Sequence, residues 1–126
     1  MSGGETAARP GERFLCRLAE LPDGAGKGFW FGRDVKRYGI FVLRRGDRVL
    51  AYENSCPHRG TPLDWQPDRF LDVTGRLIQC ATHGALFRIV DGFCVGGPCA
   101  GERLKPVTIA CRDGAIHLSD DRYTAE

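Results

Sequence analysis

Short runs of branched and aromatic residues, separated by glycine-rich turns, dominate the hydrophobic pattern of this chain. Apolar positions alternate with arginines over residues 13–18, which is the period of two expected for a half-buried strand. Similar strand-like runs cover residues 29–32, 38–43, 49–53, 77–80, 86–90, 107–111 and 115–118. No segment has the apolar period of a helix longer than about three turns. The pattern therefore predicts a chain built from strands.

Three turns have the composition of β-hairpin connections. They are Arg45-Gly46-Asp47, Asp91-Gly92 and Asp113-Gly114, and each lies between two of the predicted strands. Antiparallel pairing follows from such short connections. We therefore predict an all-β fold, an antiparallel sandwich or small barrel, with residues 56–99 as a glycine- and proline-rich subdomain inserted near one end.

The glycines at positions 24, 26 and 28 surround Lys27, as in some phosphate-binding loops. The Gly-Lys-Ser/Thr ending and the helix pattern that should follow such a loop are missing. We therefore predict a plain turn at this place.

Length and composition indicate one domain. The 126 residues are close to the most common domain size, so we predict a single domain over residues 13–126. Residues 1–12 are small and polar and include proline and glycine, so we predict a loose tail there. The formal net charge is only +2 and the basic residues are scattered, which argues against nucleic acid as a partner. No stretch approaches about eighteen apolar residues and the first ten lack an apolar signal region, so we predict no membrane span and a cytoplasmic protein.

Two short motifs carry the candidate chemistry: Cys56-Pro57-His58-Arg59-Gly60 and Cys80-Ala81-Thr82-His83-Gly84. Each supplies one thiolate and one imidazole. Two loops of this kind can place both sulfur ligands on one iron and both nitrogen ligands on the other, which is the ligand division of a Rieske centre.

On these motifs, and on the later Gly97-Pro98, the sequence resembles the Rieske [2Fe–2S] family. The resemblance implies a β-fold, one [2Fe–2S] cluster per chain, and the four ligands Cys56, His58, Cys80 and His83. It also implies that Gly97-Pro98 belongs to a loop that covers the cluster. The chain departs from the family in a longer gap between the motifs, expected as extra loop around residues 64–74, and in Cys80-Ala81, where Cys-Pro is frequent.

A zinc site and a plant-type iron–sulfur cluster are the alternatives to a Rieske centre. Zinc also binds two Cys and two His, but zinc fingers group Cys with Cys and His with His, whereas these pairs are mixed. Cys94 and Cys99 have the Cys-x₄-Cys spacing of a plant-type cluster, but position 102, where the third cysteine belongs, is Glu102.

Several neighbouring residues have expected roles at the site. Gly60 and Gly84 would let their loops approach the cluster closely, while Leu63, Leu86 and Phe87 would shield it from water. Cys94 and Cys99 are expected as thiols, although a disulfide between them stays open. Cys16 and Cys111 are expected in the core. Gly84-Ala85-Leu86 lacks the hydroxyl group that follows the second His-Gly in high-potential family members, so we predict a potential in the lower half of the Rieske range.

The number of histidines and the motifs that are present also limit the function. Only three histidines exist, so after two are used no mononuclear iron site of an oxygenase can be built, and no dinucleotide-binding motif is present. The resemblance then implies an electron carrier, not an enzyme, that takes single electrons from a reductase to a terminal oxidoreductase such as an aromatic-ring oxygenase. The alternatives are a small Rieske subunit of a larger oxidoreductase complex and a zinc-stabilised interaction module.

Overall fold

The computed structural model describes residues 12–32, 38–57, 63–64, 68–80, 84–97 and 99–120. In that part of the chain nine strands form three antiparallel sheets of three strands each, which confirms the predicted all-β class. The described residues contain no helix that is long and apolar enough to span a bilayer. The strands are β1 (Arg13–Arg17), β2 (Gly26–Phe31), β3 (Tyr38–Arg45), β4 (Arg48–Glu53), β5 (Leu77–Gln79), β6 (Leu86–Arg88), β7 (Cys94–Gly96), β8 (Ile109–Arg112) and β9 (Ala115–Leu118).

Two of the sheets rest on hairpins that the sequence predicts. In the sheet β2-β3-β4, β3 ends at Arg45 and β4 begins at Arg48, so Gly46 lies in the turn with a φ of 61°. In the sheet β1-β9-β8, Asp113 and Gly114 connect β8 to β9 with φ values of 51° and 78°. Two successive positive φ values are the geometry of the turn that matches the natural twist of a hairpin.

The third sheet, β5-β6-β7, carries the second motif at one end. Ile78 of β5 lies opposite Phe87 of β6, and both side chains are completely buried. Strand β7 is not among the predicted runs, because its three residues, Cys94–Gly96, include a glycine and lie in a segment that resembles a loop. It pairs with β6 in an irregular register and completes the sheet.

The buried side chains form two clusters. One lies among β1, β2, β3 and the β8-β9 hairpin, and it includes Ile40, Val42 and Ile116. The other joins β3 and β4 to the sheet β5-β6-β7, and it contains Phe41, Phe70 and Phe87 together with four cysteines. Alternation along β3 explains the division, because Ile40 and Phe41 point to opposite faces of the strand.

The predicted turn around Lys27 is wrong beyond Gly24. Gly26 and Gly28 belong to β2 and pair with Leu43 and Phe41 of β3. A Cβ at Gly26 would lie 2.7 Å from Leu43 Cδ2, and one at Gly28 would lie 3.1 Å from Phe70 Cζ. The strand therefore uses glycine because neighbouring side chains occupy the space above it, and not because the chain turns there.

The predicted core position of Cys111 is also wrong. Cys16 is buried as expected, but Cys111 is exposed. Ile109 packs against the buried cluster, but Cys111, on the same face of β8 and two residues nearer the turn, lies beyond the cluster. A strand-like pattern predicts alternation but does not tell how far along the strand the packing extends.

Tyr52 provides a test of how the two sheets are joined. Its buried hydroxyl donates a hydrogen bond of 2.6 Å to the carbonyl of Ile89, just after β6, and burial raises the pKa of this phenol to about 12. We expect Tyr52→Phe to lower the free energy of unfolding by about 1 kcal/mol at pH 7, because the acceptor loses its partner. Equilibrium unfolding with denaturant measures this difference.

The difference should shrink as the pH rises. An unfolded tyrosine loses its proton near pH 10, whereas the folded one keeps it to about pH 12, so the wild-type protein loses stability within this interval. The Tyr52→Phe variant has no phenol at this position and lacks that loss. A constant difference between pH 7 and pH 11 would contradict the proposed role of the hydroxyl.

Candidate metal centre

The first motif begins directly behind β4, where Asn54 fixes the course of the chain. The backbone N–H of Asn54 donates to the carbonyl of Gly39 at 2.8 Å, and its side-chain oxygen accepts from the N–H of Leu63 at 2.7 Å. The side-chain nitrogen donates to Asp64 at 3.2 Å. One buried amide thus closes both ends of the loop that starts at Cys56, whose side chain is 1% exposed.

The second motif forms the tip of the β5-β6 hairpin. The N–H of Cys80 donates to Ala85 at 2.8 Å, and the N–H of Gly84 donates back to the carbonyl of Cys80 at 2.9 Å. Gly84 has a φ of 69°, a backbone conformation that residues other than glycine rarely adopt. These two hydrogen bonds close a sharp turn directly after Cys80. The side chain of Cys80 is fully buried.

Both predicted sulfur ligands belong to the same cluster of buried side chains. His58 and His83, the predicted nitrogen ligands, lie outside the described residues, as do Gly60 and Pro98. Within the described part, no three His, Cys, Asp or Glu residues gather closely enough to hold a metal ion. The assignment of the four ligands therefore stays a prediction, with its two cysteines placed in one core.

The predicted shielding residues divide into two groups. Leu63 and Phe87 are completely buried in the cluster that contains Cys56 and Cys80. Leu86 is only half-buried and does not belong to that cluster. Alternation along β6 accounts for the difference, because neighbouring residues of a strand point to opposite faces of the sheet.

Gly97, directly after β7, lies against Ala85, the residue that follows the second motif. Gly97 has a φ of 89°, and a Cβ at this position would lie 2.7 Å from Cα of Ala85. The two backbones are therefore in direct contact, with no room for a side chain between them. The covering position that the resemblance implies for Gly97-Pro98 stays a prediction, since Pro98 lies outside the described residues.

Cys99 is a residue of the site that sequence reasoning did not place. Its sulfur lies 3.7 Å from that of Cys56, and both side chains are buried. Burial, with Cys56 and Cys94 nearby, raises the pKa of the Cys99 thiol to about 12, so it keeps its proton at neutral pH. None of the six cysteines, all within the described part of the chain, forms a disulfide.

The third histidine lies away from this centre. His117 is in β9, completely buried, and its ring contacts Phe14 edge to face with centroids 5.7 Å apart. Neither ring nitrogen has a hydrogen-bond partner among the described residues. This position belongs to the sheet β1-β9-β8, whereas the two cysteine motifs follow β4 and β5. His117 is therefore a core residue and not part of the candidate centre.

Two buried thiols from separate hairpins fit the sulfur half of a two-iron cluster. The sequence of this chain matches the Rieske [2Fe-2S] domain family over residues 12–112. The chain therefore belongs to this family.

Among proteins of known function, the chain is similar to the ferredoxin CarAc of Metapseudomonas resinovorans. The two are 28% identical over 93 residues, which cover 71% of this chain and 81% of the relative. Two solved structures share the fold. One is the ferredoxin of carbazole 1,9a-dioxygenase from Nocardioides aromaticivorans IC177, with a TM-score of 0.64 and 23% identity over 86% of this chain and 98% of that one.

The other comes from a complex of reduced oxygenase and oxidized ferredoxin in carbazole 1,9a-dioxygenase. It has a TM-score of 0.67 and 23% identity, and the alignment covers 89% of this chain and 96% of that one.

Proposed function

We propose that Cys56 and Cys80 bind one iron of a Rieske [2Fe–2S] cluster, that His58 and His83 bind the other, and that each chain holds one cluster. The burial of both thiols in one cluster of side chains, on loops held by backbone hydrogen bonds, is the observation that supports this assignment. A thiolate is the form that binds iron, and two loops with one thiol each provide the pair that a Rieske centre needs.

The chain is an electron-transfer protein of the Rieske ferredoxin type and not itself an enzyme. We propose that it accepts electrons from a reductase and delivers them to the terminal oxygenase of an aromatic-ring dioxygenase. The relative CarAc is a ferredoxin, and a similar structure was solved together with an oxygenase, which supports this assignment of partners. We place the protein in the cytoplasm, where a reducing environment keeps six thiols free of disulfides.

When bound, the cluster would take up and release one electron at a time. The ligand residues set how readily this happens, because two thiolates contribute two negative charges and neutral imidazoles contribute none. Four thiolates would add more negative charge, which accounts for plant-type potentials of about −400 mV against roughly −150 to +300 mV for Rieske centres. The buried Leu63 and Phe87 exclude water and so lower the local dielectric constant.

Visible and EPR spectra of freshly purified protein test this proposal. We expect a coloured protein with iron and acid-labile sulfide, and a reduced EPR signal whose mean g value lies below 2, as for mixed Cys and His ligands. A protein that contains only zinc would overturn the electron-transfer role. An iron protein without the mixed-ligand signal would overturn the ligand assignment.

A redox titration of the same sample tests the predicted potential. Because Ala85 and Leu86 supply no hydroxyl group behind the second motif, we expect a value in the lower half of the Rieske range. A value near the top of that range would contradict the prediction.

A further inference from the structure

The loop after β7 places the thiol of Cys99 next to Cys56, a predicted ligand. Cys99 and Cys56 are 43 positions apart in the sequence, but their sulfur atoms are 3.7 Å apart in the buried cluster. This distance allows an S–H group of one to donate to the sulfur of the other. As a cluster ligand, Cys56 would be a thiolate and could only accept, so Cys99 must be the donor.

The backbone around Cys99 holds this thiol in place. The N–H of Glu102 donates to the carbonyl of Cys99 at 2.9 Å, and the N–H of Cys94 donates to the carbonyl of Glu102 at 2.8 Å. The turn that contains Cys99 is thus tied to β7. Nearby Cys94 directs its own S–H to the carbonyl of Gly96 at 3.1 Å, so its proton is used within β7.

We propose that Cys99 is a positioning residue whose S–H donates a hydrogen bond to the ligand sulfur of Cys56 and thereby raises the reduction potential of the centre. This inference rests on the proposed function. Hydrogen bonds to ligand sulfurs stabilise the added electron, because they withdraw negative charge from the sulfur. No ligand is replaced, and the chain keeps its four predicted ligands.

Redox titration of the cluster-loaded Cys99→Ala variant tests the proposal. We expect full iron content and a lower potential, with the equilibrium constant for one-electron reduction reduced about threefold, which is about 30 mV for a one-electron couple. Cys99→Ser keeps a donor at this position, so its potential should lie above that of the alanine variant. Cys16→Ala is the control, because it removes a buried thiol from the other side-chain cluster and leaves the surroundings of Cys99 unchanged.

The direction of the shift separates this role from simple packing. If Cys99 only filled space, its truncation would admit water, and the higher dielectric constant would favour the more charged reduced form and raise the potential. An unchanged or raised potential in Cys99→Ala therefore overturns the inference while the EPR signal still supports the proposed function. Loss of the cluster in Cys99→Ala, with the cluster kept in Cys56→Ala, would instead make Cys99 the ligand and overturn both.

Counting thiols adds a readout that is independent of the cluster. Alkylation of the anaerobically purified, denatured protein followed by intact mass measurement should label all six cysteines. Labelling of only four would show a disulfide, and one that includes Cys99 leaves no S–H to donate, which also overturns the inference.

Discussion

Replacement of His83 by alanine is expected to give a colourless protein that contains less than about a tenth of the wild-type iron. Loss of a residue that only orients a metal ligand already lowers metal affinity by about 10- to 100-fold, so loss of a ligand should cost at least as much. His58→Ala, Cys56→Ala and Cys80→Ala should behave in the same way. Iron and acid-labile sulfide analysis, with visible absorbance, measures the effect.

His117→Leu is the matched control for the two histidine variants. This histidine is completely buried in another sheet, and its ring nitrogens have no hydrogen-bond partner among the described residues. A leucine of similar size should therefore leave iron content and the EPR signal unchanged. If His83→Ala keeps its full iron content while His117→Leu loses it, the ligand assignment is wrong.

Phe70→Ala is expected to lower the free energy of unfolding by about 3 to 5 kcal/mol. The ring of Phe70 stacks on that of Phe41 at a centroid distance of 4.3 Å and covers the glycines of β2. Its removal would leave a cavity that rigid neighbouring strands cannot fill. Melting followed by circular dichroism and by the visible absorbance of the cluster measures the loss.

Val73→Ala is the control for this segment, because Val73 is fully exposed in the same stretch of chain. Its replacement should change the melting temperature very little. If both variants melted at the same temperature, Phe70 would not belong to the stabilising core, and the contact between this segment and β2 would not contribute to folding.

The sequence predicted the strands best where short-range chemistry determines them. Asp113-Gly114 fixes a hairpin because both residues tolerate a positive φ, and the flanking runs therefore pair with each other. The glycines of β2 are not recognisable as strand residues because the groups that require them lie far along the chain. The ring of Phe70 covers both, and the carboxylate of Asp68, 40 positions after Gly28, accepts from the N–H of Gly28 at 2.7 Å. Such contacts leave no local pattern.

The segment between the two motifs shows the same limit. The longer gap predicted extra loop over residues 64–74, but Phe70 lies in the core and Leu71 forms an isolated bridge with Ile78. A single apolar pair, Phe70-Leu71, between charged residues has no period from which packing could be inferred. Part of the predicted loop is therefore core.

The sequence predicts which residues form the candidate centre, but not which other residues surround them in space. Cys56 and Cys80 follow from the motifs, since each cysteine stands at a fixed distance from a histidine. Cys99 could be predicted only as a thiol near the covering loop, because its partner Cys56 precedes it by 43 positions. Cys94 and Cys99 are both buried, and only the fold shows that the sulfur of Cys99 lies 3.7 Å from that of Cys56.

The hydrogen bonds of Asn54, which join the two ends of the loop that starts at Cys56, also affect the rate of electron transfer. Asn54 holds Leu63, Asp64 and the carbonyl of Gly39 through one short side chain and its own backbone. Dipoles that are already fixed need not reorient when an electron arrives or leaves. We therefore expect a carrier with this frame to lose little energy to nuclear rearrangement, so that its exchange rate depends mainly on how closely donor and acceptor approach.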